Sequence, residues 1–187
     1  MPAGDTTVTH RALRDKLLRM GLLDQTVRVG FTAASAADTG FVRASMGIDS
    51  MLTQELGAIV DSAGWPTHSM VGRQAADAAF LILQHSPSDA FQRATLPLLQ
   101  MAARSGEAGV GNVALLTDRI LTHDGKPQLY GTQFRIVNGE LMPYPIENIE
   151  MLDQRRNAAG LMPMNDYVRL LQQTYEGPVR WPLDSAR

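Results

Sequence analysis

Runs of apolar residues at a spacing of three to four, separated by Gly, Pro and Ser breaks, cover most of this chain and predict helices. Leu13, Leu17, Met20 and Val27 fall on one stripe of a segment from about Thr7 to Ala34, where Gly21 invites a kink or a division into two shorter helices. On that segment Asp24, Gln25 and Arg28 share a face, and Asp24 with Arg28 forms an i,i+4 acid–base pair whose default place is the solvated surface. A small-residue break at Ser35 to Gly40 precedes a second run, Met46, Met51, Leu52, Leu56, Ile59 and Val60, which Gly64 terminates and Trp65-Pro66 keeps from resuming. Trp65 then plugs the core at a corner or walls a pocket.

Thr67 or Ser69 is placed to start the next helix. Its body, Ala75 to His85, is apolar on every side and too short to span a bilayer, which marks a core helix, ended by Ser86-Pro87. Ser88 or Asp89 caps a further run containing Phe91, Leu96, Leu98, Leu99 and Met101, with a kink expected at Pro97 and closure at Ser105-Gly106. Val110 to Leu121 is the next core-like helix, and His123 to Pro127 a turn. The fingerprint-like Gly109-Val110-Gly111-Asn112-Val113-Ala114 has no strand before it and is not read as a dinucleotide site.

From Gln128 to Val137 the period changes to two, with Tyr130, Thr132, Phe134 and Ile136 on one side and Gly131, Gln133 and Arg135 on the other. Asn138-Gly139 is the preferred two-residue hairpin turn, and Glu140-Leu141-Met142 starts the return strand, giving a hairpin over 128–145. Asn148 to Ala159, closed by Gly160, and Pro163 to about Tyr175 read as the last helices, with residues 177–187 as a tail. The fold class this predicts is mainly α: an antiparallel helical bundle with one late β-hairpin packed on it, in a single globular domain spanning 1–187.

Composition narrows the function. A hydrophobic fraction of 44%, 19% charged residues and a net charge of -2 describe an ordinary globular chain with no field for nucleic acid or anionic lipid, so neither nucleic acid nor membrane is an expected partner. There is no cysteine, which removes thiolate chemistry and disulfides and fits the cytoplasm; the polar N-terminal stretch has no signal-peptide core. The ten methionines are read as gap-filling core residues. The four histidines lack paired zinc spacing, so no cofactor is expected, and a zinc site assembled from distant segments is the lesser alternative because only His85 is a convincing ligand. No nucleophile elbow or phosphate loop is present.

What stands out is a set of polar residues in apolar settings. Gln84 and His85 end the core helix, Asp118 and Arg119 interrupt another, and Tyr130 and Gln133 lie on the strand. His85 suits general acid–base work, with Asp118 fixing its tautomer or carrying a second proton. Gln84, Arg119, Tyr130, Gln133 and Trp65 are the substrate-binding candidates, Arg119 for an anionic group and Tyr130 or Gln133 for a carbonyl. Against this stands the bland alternative that Asp118 and Arg119 satisfy each other or helix ends and that Gln84 and His85 bond the hairpin backbone.

Gly64-Trp65-Pro66, Gly72, Gln84-His85, Leu116-Thr117-Asp118-Arg119 and Gln128-Leu129-Tyr130-Gly131-Thr132-Gln133, with Asp24-Gln25, Arg28 and Asp49, resemble the bacterial family catalogued as domain of unknown function 6624 from about Asp24 to Tyr175. Members tend to follow Gln-His with Ala-Asp; this chain has Ser86-Pro87, so a role resting on that acid does not carry over. The resemblance implies membership and no activity. The functional expectation from the residues is a small cofactor-independent enzyme doing acid–base chemistry of lyase, cyclase or hydrolase type on a small molecule, with specialised metabolism as one setting for it. The other class is a non-catalytic ligand- or partner-binding protein such as a sensor or immunity protein.

Overall fold

The computed structural model describes residues 8–29, 38–175 and 177–181. These are mainly α-helical, with one two-stranded antiparallel sheet late in the chain. The chain's contacts cluster into two compact units, Met1–Gly109 and Val110–Arg187.

The first unit contains α1 (Arg11–Val29), α2 (Thr39–Ala63), α3 (His68–Val71), α4 (Arg73–His85) and α5 (Asp89–Arg104). The predicted caps are in place: Gly64 ends α2 at φ 75°, the Thr67 hydroxyl accepts from Met70 N to open α3, and the Ser88 hydroxyl accepts from Phe91 N to open α5. α5 contains Pro97 and is assigned as one helix. The core is built from Leu17, Leu52, Leu56, Val71, Phe80, Ile82, Leu83 and Leu99, all buried, with Trp65 buried at the corner. The outer parts of the expected Thr7–Ala34 helix, and residues 35–37 of the Ser35 to Gly40 break, lie outside the described residues; Asp38 caps α2, which takes in Thr39 and Gly40.

Gly21 does not divide α1, which runs unbroken from Arg11 to Val29. It is buried, and a Cβ at that position would come within 2.6 Å of the Ala78 Cβ on α4. The missing side chain lets the two backbones approach, which is the reason this helix tolerates a residue that costs about 1 kcal/mol relative to Ala.

The second unit contains α6 (Val110–His123), β1 (Phe134–Val137), β2 (Glu140–Pro143), a 3-10 turn at Ile149–Met151, α7 (Leu152–Ala158) and α8 (Met164–Thr174). β1 and β2 pair antiparallel with Val137 opposite Glu140, and both residues of the connecting turn, Asn138 and Gly139, have positive φ as a type I′ turn requires. The hairpin packs through Phe134 and Leu141 on a cluster formed by Leu152, Met164, Val168 and Val179.

Two expectations need correction here. Residues 129–133 are not strand but an irregular loop, and Gln128 makes only an isolated bridge with Ile146, because the Asp118, Gln128, Arg155 and Arg156 side chains take up the loop's backbone groups before a neighbouring strand can. Nor is the described end of the chain, 177–181, a loose tail. Leu141 N donates to Pro178 O, Arg180 N donates to Leu141 O, Val179 is buried, and Trp181 Nε1 donates to Asn165. Residues 182–187 lie outside the described residues.

Candidate functional site

The close approach of Gly21 to Ala78 determines what meets further along the two helices. Asp24 lies one turn beyond Gly21 and His85 two turns beyond Ala78, each on the same face as the glycine or alanine that makes the contact. His85 Nδ1 is consequently 2.8 Å from Asp24 Oδ1 and 3.0 Å from Oδ2. A carboxylate only accepts, so Nδ1 is the donor and the neutral ring carries its lone pair on Nε2.

The rest of the cluster braces the carboxylate. Gln25 Nε2 donates to Asp24 Oδ2 at 2.8 Å, and Arg28 Nη2 stands 3.6 Å from Asp24 Oδ1 while bonding Asp49. Asp24 is 1% exposed, whereas the His85 side chain keeps 23% of its surface in solvent. Burial pushes the Asp24 carboxyl up; the His85 hydrogen bond and charge, the Gln25 amide and Arg28 outweigh that and hold it below its ordinary value. Asp24 and Arg28 are thus not the exposed surface pair expected from their spacing. The available signal was that Asp24 continues the stripe of Leu17, Met20, Gly21 and Val27, all buried.

Gln92 is the second residue that sequence reasoning did not nominate. Fully buried on α5, it donates through Nε2 to the carbonyls of Leu83, Gln84 and Ser86, and so satisfies acceptors that the end of α4 leaves without helical partners. That contact fixes the end of the helix carrying His85. Gln84 is itself buried, and Trp65 is buried with its Nε1 lacking an acceptor among the described residues.

The remaining candidates, Asp118, Arg119, Tyr130 and Gln133, belong to the second unit. Asp118 is fully buried, and its two oxygens accept from Leu129 N, Tyr130 N, Thr132 N and Thr132 Oγ1 at 2.7–3.1 Å. Its carboxylate therefore shapes the 129–133 loop, while the acid on His85 Nδ1 is Asp24. Gln133 N donates to Gln128 Oε1, and the Gln133 amide donates to Thr132 Oγ1. Gln128, fully buried, donates to the Gln133 and Tyr144 carbonyls. Tyr130 lines a cavity of about 190 Å³ with Val110, Val113, Ala114, Arg155 and Ala158, and Arg119 is half-buried on α6. Because 128–133 is not a regular strand, the alternation expected to send Tyr130 and Gln133 to opposite faces does not operate.

Among the described residues no three His, Asp or Glu side chains are grouped so as to hold a metal ion, and no helix is long and apolar enough to cross a membrane. Fold and site together define a mainly α-helical protein with a late hairpin and a buried carboxylate bonded to a partly exposed imidazole. The chain belongs to the family of unknown function DUF6624, whose model matches residues 11–180. No curated protein and no solved structure matches it.

Proposed function

We propose that the protein is an enzyme that performs general acid–base chemistry on a small molecule, with His85 Nε2 as the proton carrier. The observation that supports it is the Asp24–His85 pair: a buried carboxylate braced by Gln25 and Arg28 holds Nδ1, while the imidazole retains solvent access. Such an arrangement fixes the tautomer that leaves Nε2 basic and stabilises the imidazolium formed when Nε2 takes a proton, the positioning task a carboxylate performs behind a catalytic histidine. Asp24 is the positioning residue in this reading, and Gln25, Arg28 and Asp49 keep it in place. A proton carrier of this kind serves lyase, cyclase and hydrolase reactions alike.

The test is a panel of small esters, lactones, amides and β-substituted carbonyl compounds incubated with the protein, their loss followed by mass spectrometry. His85→Ala should lower turnover by about 10²–10⁴-fold, the range for a positioned acid or base, with Asp24→Asn intermediate. Full turnover in a folded His85→Ala protein would remove the assignment. The second reading, a non-catalytic ligand- or partner-binding protein, draws support from the second unit, where Asp118 and Gln128 are engaged in holding a loop. Under that reading no panel compound is ever converted.

A further inference from the structure

The second unit contains a cavity of about 220 Å³, walled by Leu115 of α6, Leu161 and Met162 of the α7–α8 connection, and Tyr167 and Leu170 of α8, with Arg156 of α7 in its lining. It exceeds the roughly 150 Å³ in which an apolar cavity accommodates benzene. Its walls are mostly apolar, Thr132 and the Tyr167 phenol being the neutral polar members, and they carry one full positive charge.

Arg156 is 2% exposed. Among the described residues no carboxylate is within ion-pair distance of it, although burying an unpaired charge is expensive. Of its five N–H groups, Nε–H goes to Met162 O at 2.7 Å and Nη1 donates to Tyr130 O at 2.6 Å, with Gly131 O at 3.5 Å. No described residue accepts from Nη2. The Tyr167 ring face, 5.0 Å from the guanidinium carbon, and the Asp153 and Asp118 carboxylates beyond ion-pair distance compensate the charge only in part. Burial pulls Arg156 below its ordinary value, yet that value starts so far above neutrality that arginine stays the cation, while burial pushes Tyr167 above its own and keeps it the neutral phenol.

We propose that this cavity is a binding site for a small monocarboxylic acid with an apolar tail of about six to eight carbons, a size set by comparison with the benzene-holding cavity. Its carboxylate meets the Nη2 side of Arg156, and its tail fills the space between Leu115, Leu161, Met162 and Leu170. The site recognises charge and tail together, since the guanidinium supplies charge-assisted donors to an anion and the walls exclude water from the contact. It is built entirely within the second unit and does not depend on the acid–base reading of His85.

Methyl-labelled protein, with Leu and Met assigned, is to be titrated with heptanoate and benzoate and, in parallel, with heptanol and benzyl alcohol. Saturable shifts at Leu115, Leu161, Met162 and Leu170, with each acid at least about tenfold tighter than its alcohol, are the expected result. Leu170→Trp, at a rim position 44% exposed, should block the cavity without disturbing the core and abolish these shifts. Arg156→Lys, if folded, should narrow the acid–alcohol difference. The proposal is overturned by equal affinity for acid and alcohol, by shifts confined to first-unit methyls such as Leu17 and Leu56, by no saturable shift at all, or by binding retained in Leu170→Trp.

Discussion

At position 24 a carboxylate with 1% of its side chain exposed remains the acceptor for an imidazole and an amide and lies beside a guanidinium. Its carboxyl is held below the ordinary 3.8, so its contribution to stability is complete above that value and is lost as pH falls through the lower, folded one. Asp24→Asn should therefore cost about 1.5–3 kcal/mol near neutrality, the range for a hydrogen bond to a charged group. The gap to wild type should close as the pH is taken below 3.8, which urea midpoints measured at stepped pH will read. A constant gap would mean that Asp24 acts by shape alone. Nitrogen-detected NMR should also find His85 protonated at Nδ1 in the neutral wild-type ring, and a mixture of tautomers in Asp24→Asn.

Elements rather than single residues bring that pair together, and the contact between α1 and α4 is the means. Gly21→Ala places a methyl 2.6 Å from Ala78, an overpacking that costs about 1–3 kcal/mol and outweighs most or all of the ~1 kcal/mol gained in helix propensity. The variant should lower the denaturant midpoint and lengthen the Asp24–His85 bond, seen as a changed His85 tautomer ratio. In the second unit the 129–133 loop is an element defined by side chains. Asp118→Asn turns one accepting oxygen into a donor and leaves at least one of the Leu129, Tyr130 and Thr132 amides without an acceptor, a loss of about 1–3 kcal/mol per unsatisfied group. Hydrogen exchange should speed at those amides first.

At the scale of the molecule, the last described residues complete the second unit. Val179 belongs to its core cluster, and Pro178 and Arg180 bond to both sides of Leu141. Ending the chain at Gly177 should remove about 1.5–3 kcal/mol for the buried valine alone, besides the two hydrogen bonds, and lower the unfolding midpoint accordingly. A midpoint left unchanged would show that 178–181 only rests on the hairpin.

The helices, their caps and the Asn138-Gly139 turn were legible in the sequence because each depends on local chemistry: a 3.6-residue period, a hydroxyl three residues before an amide, a glycine at positive φ. His85 was legible as a polar residue ending an apolar helix. Its partner was not, since Asp24 lies 61 residues away and a spacing of four to Arg28 reads as a surface pair until α1 is packed. The loop at 129–133 shows the same limit, for its alternation is a strand pattern that loses to a buried carboxylate and buried Gln128, Arg155 and Arg156 competing for its backbone. Sequence alone determined which segments are helical, where they stop and which residues carry titratable chemistry. Tertiary structure decided which acid faces which base, because hydrogen-bond partners and desolvation are properties of the space between elements, and no local period encodes them.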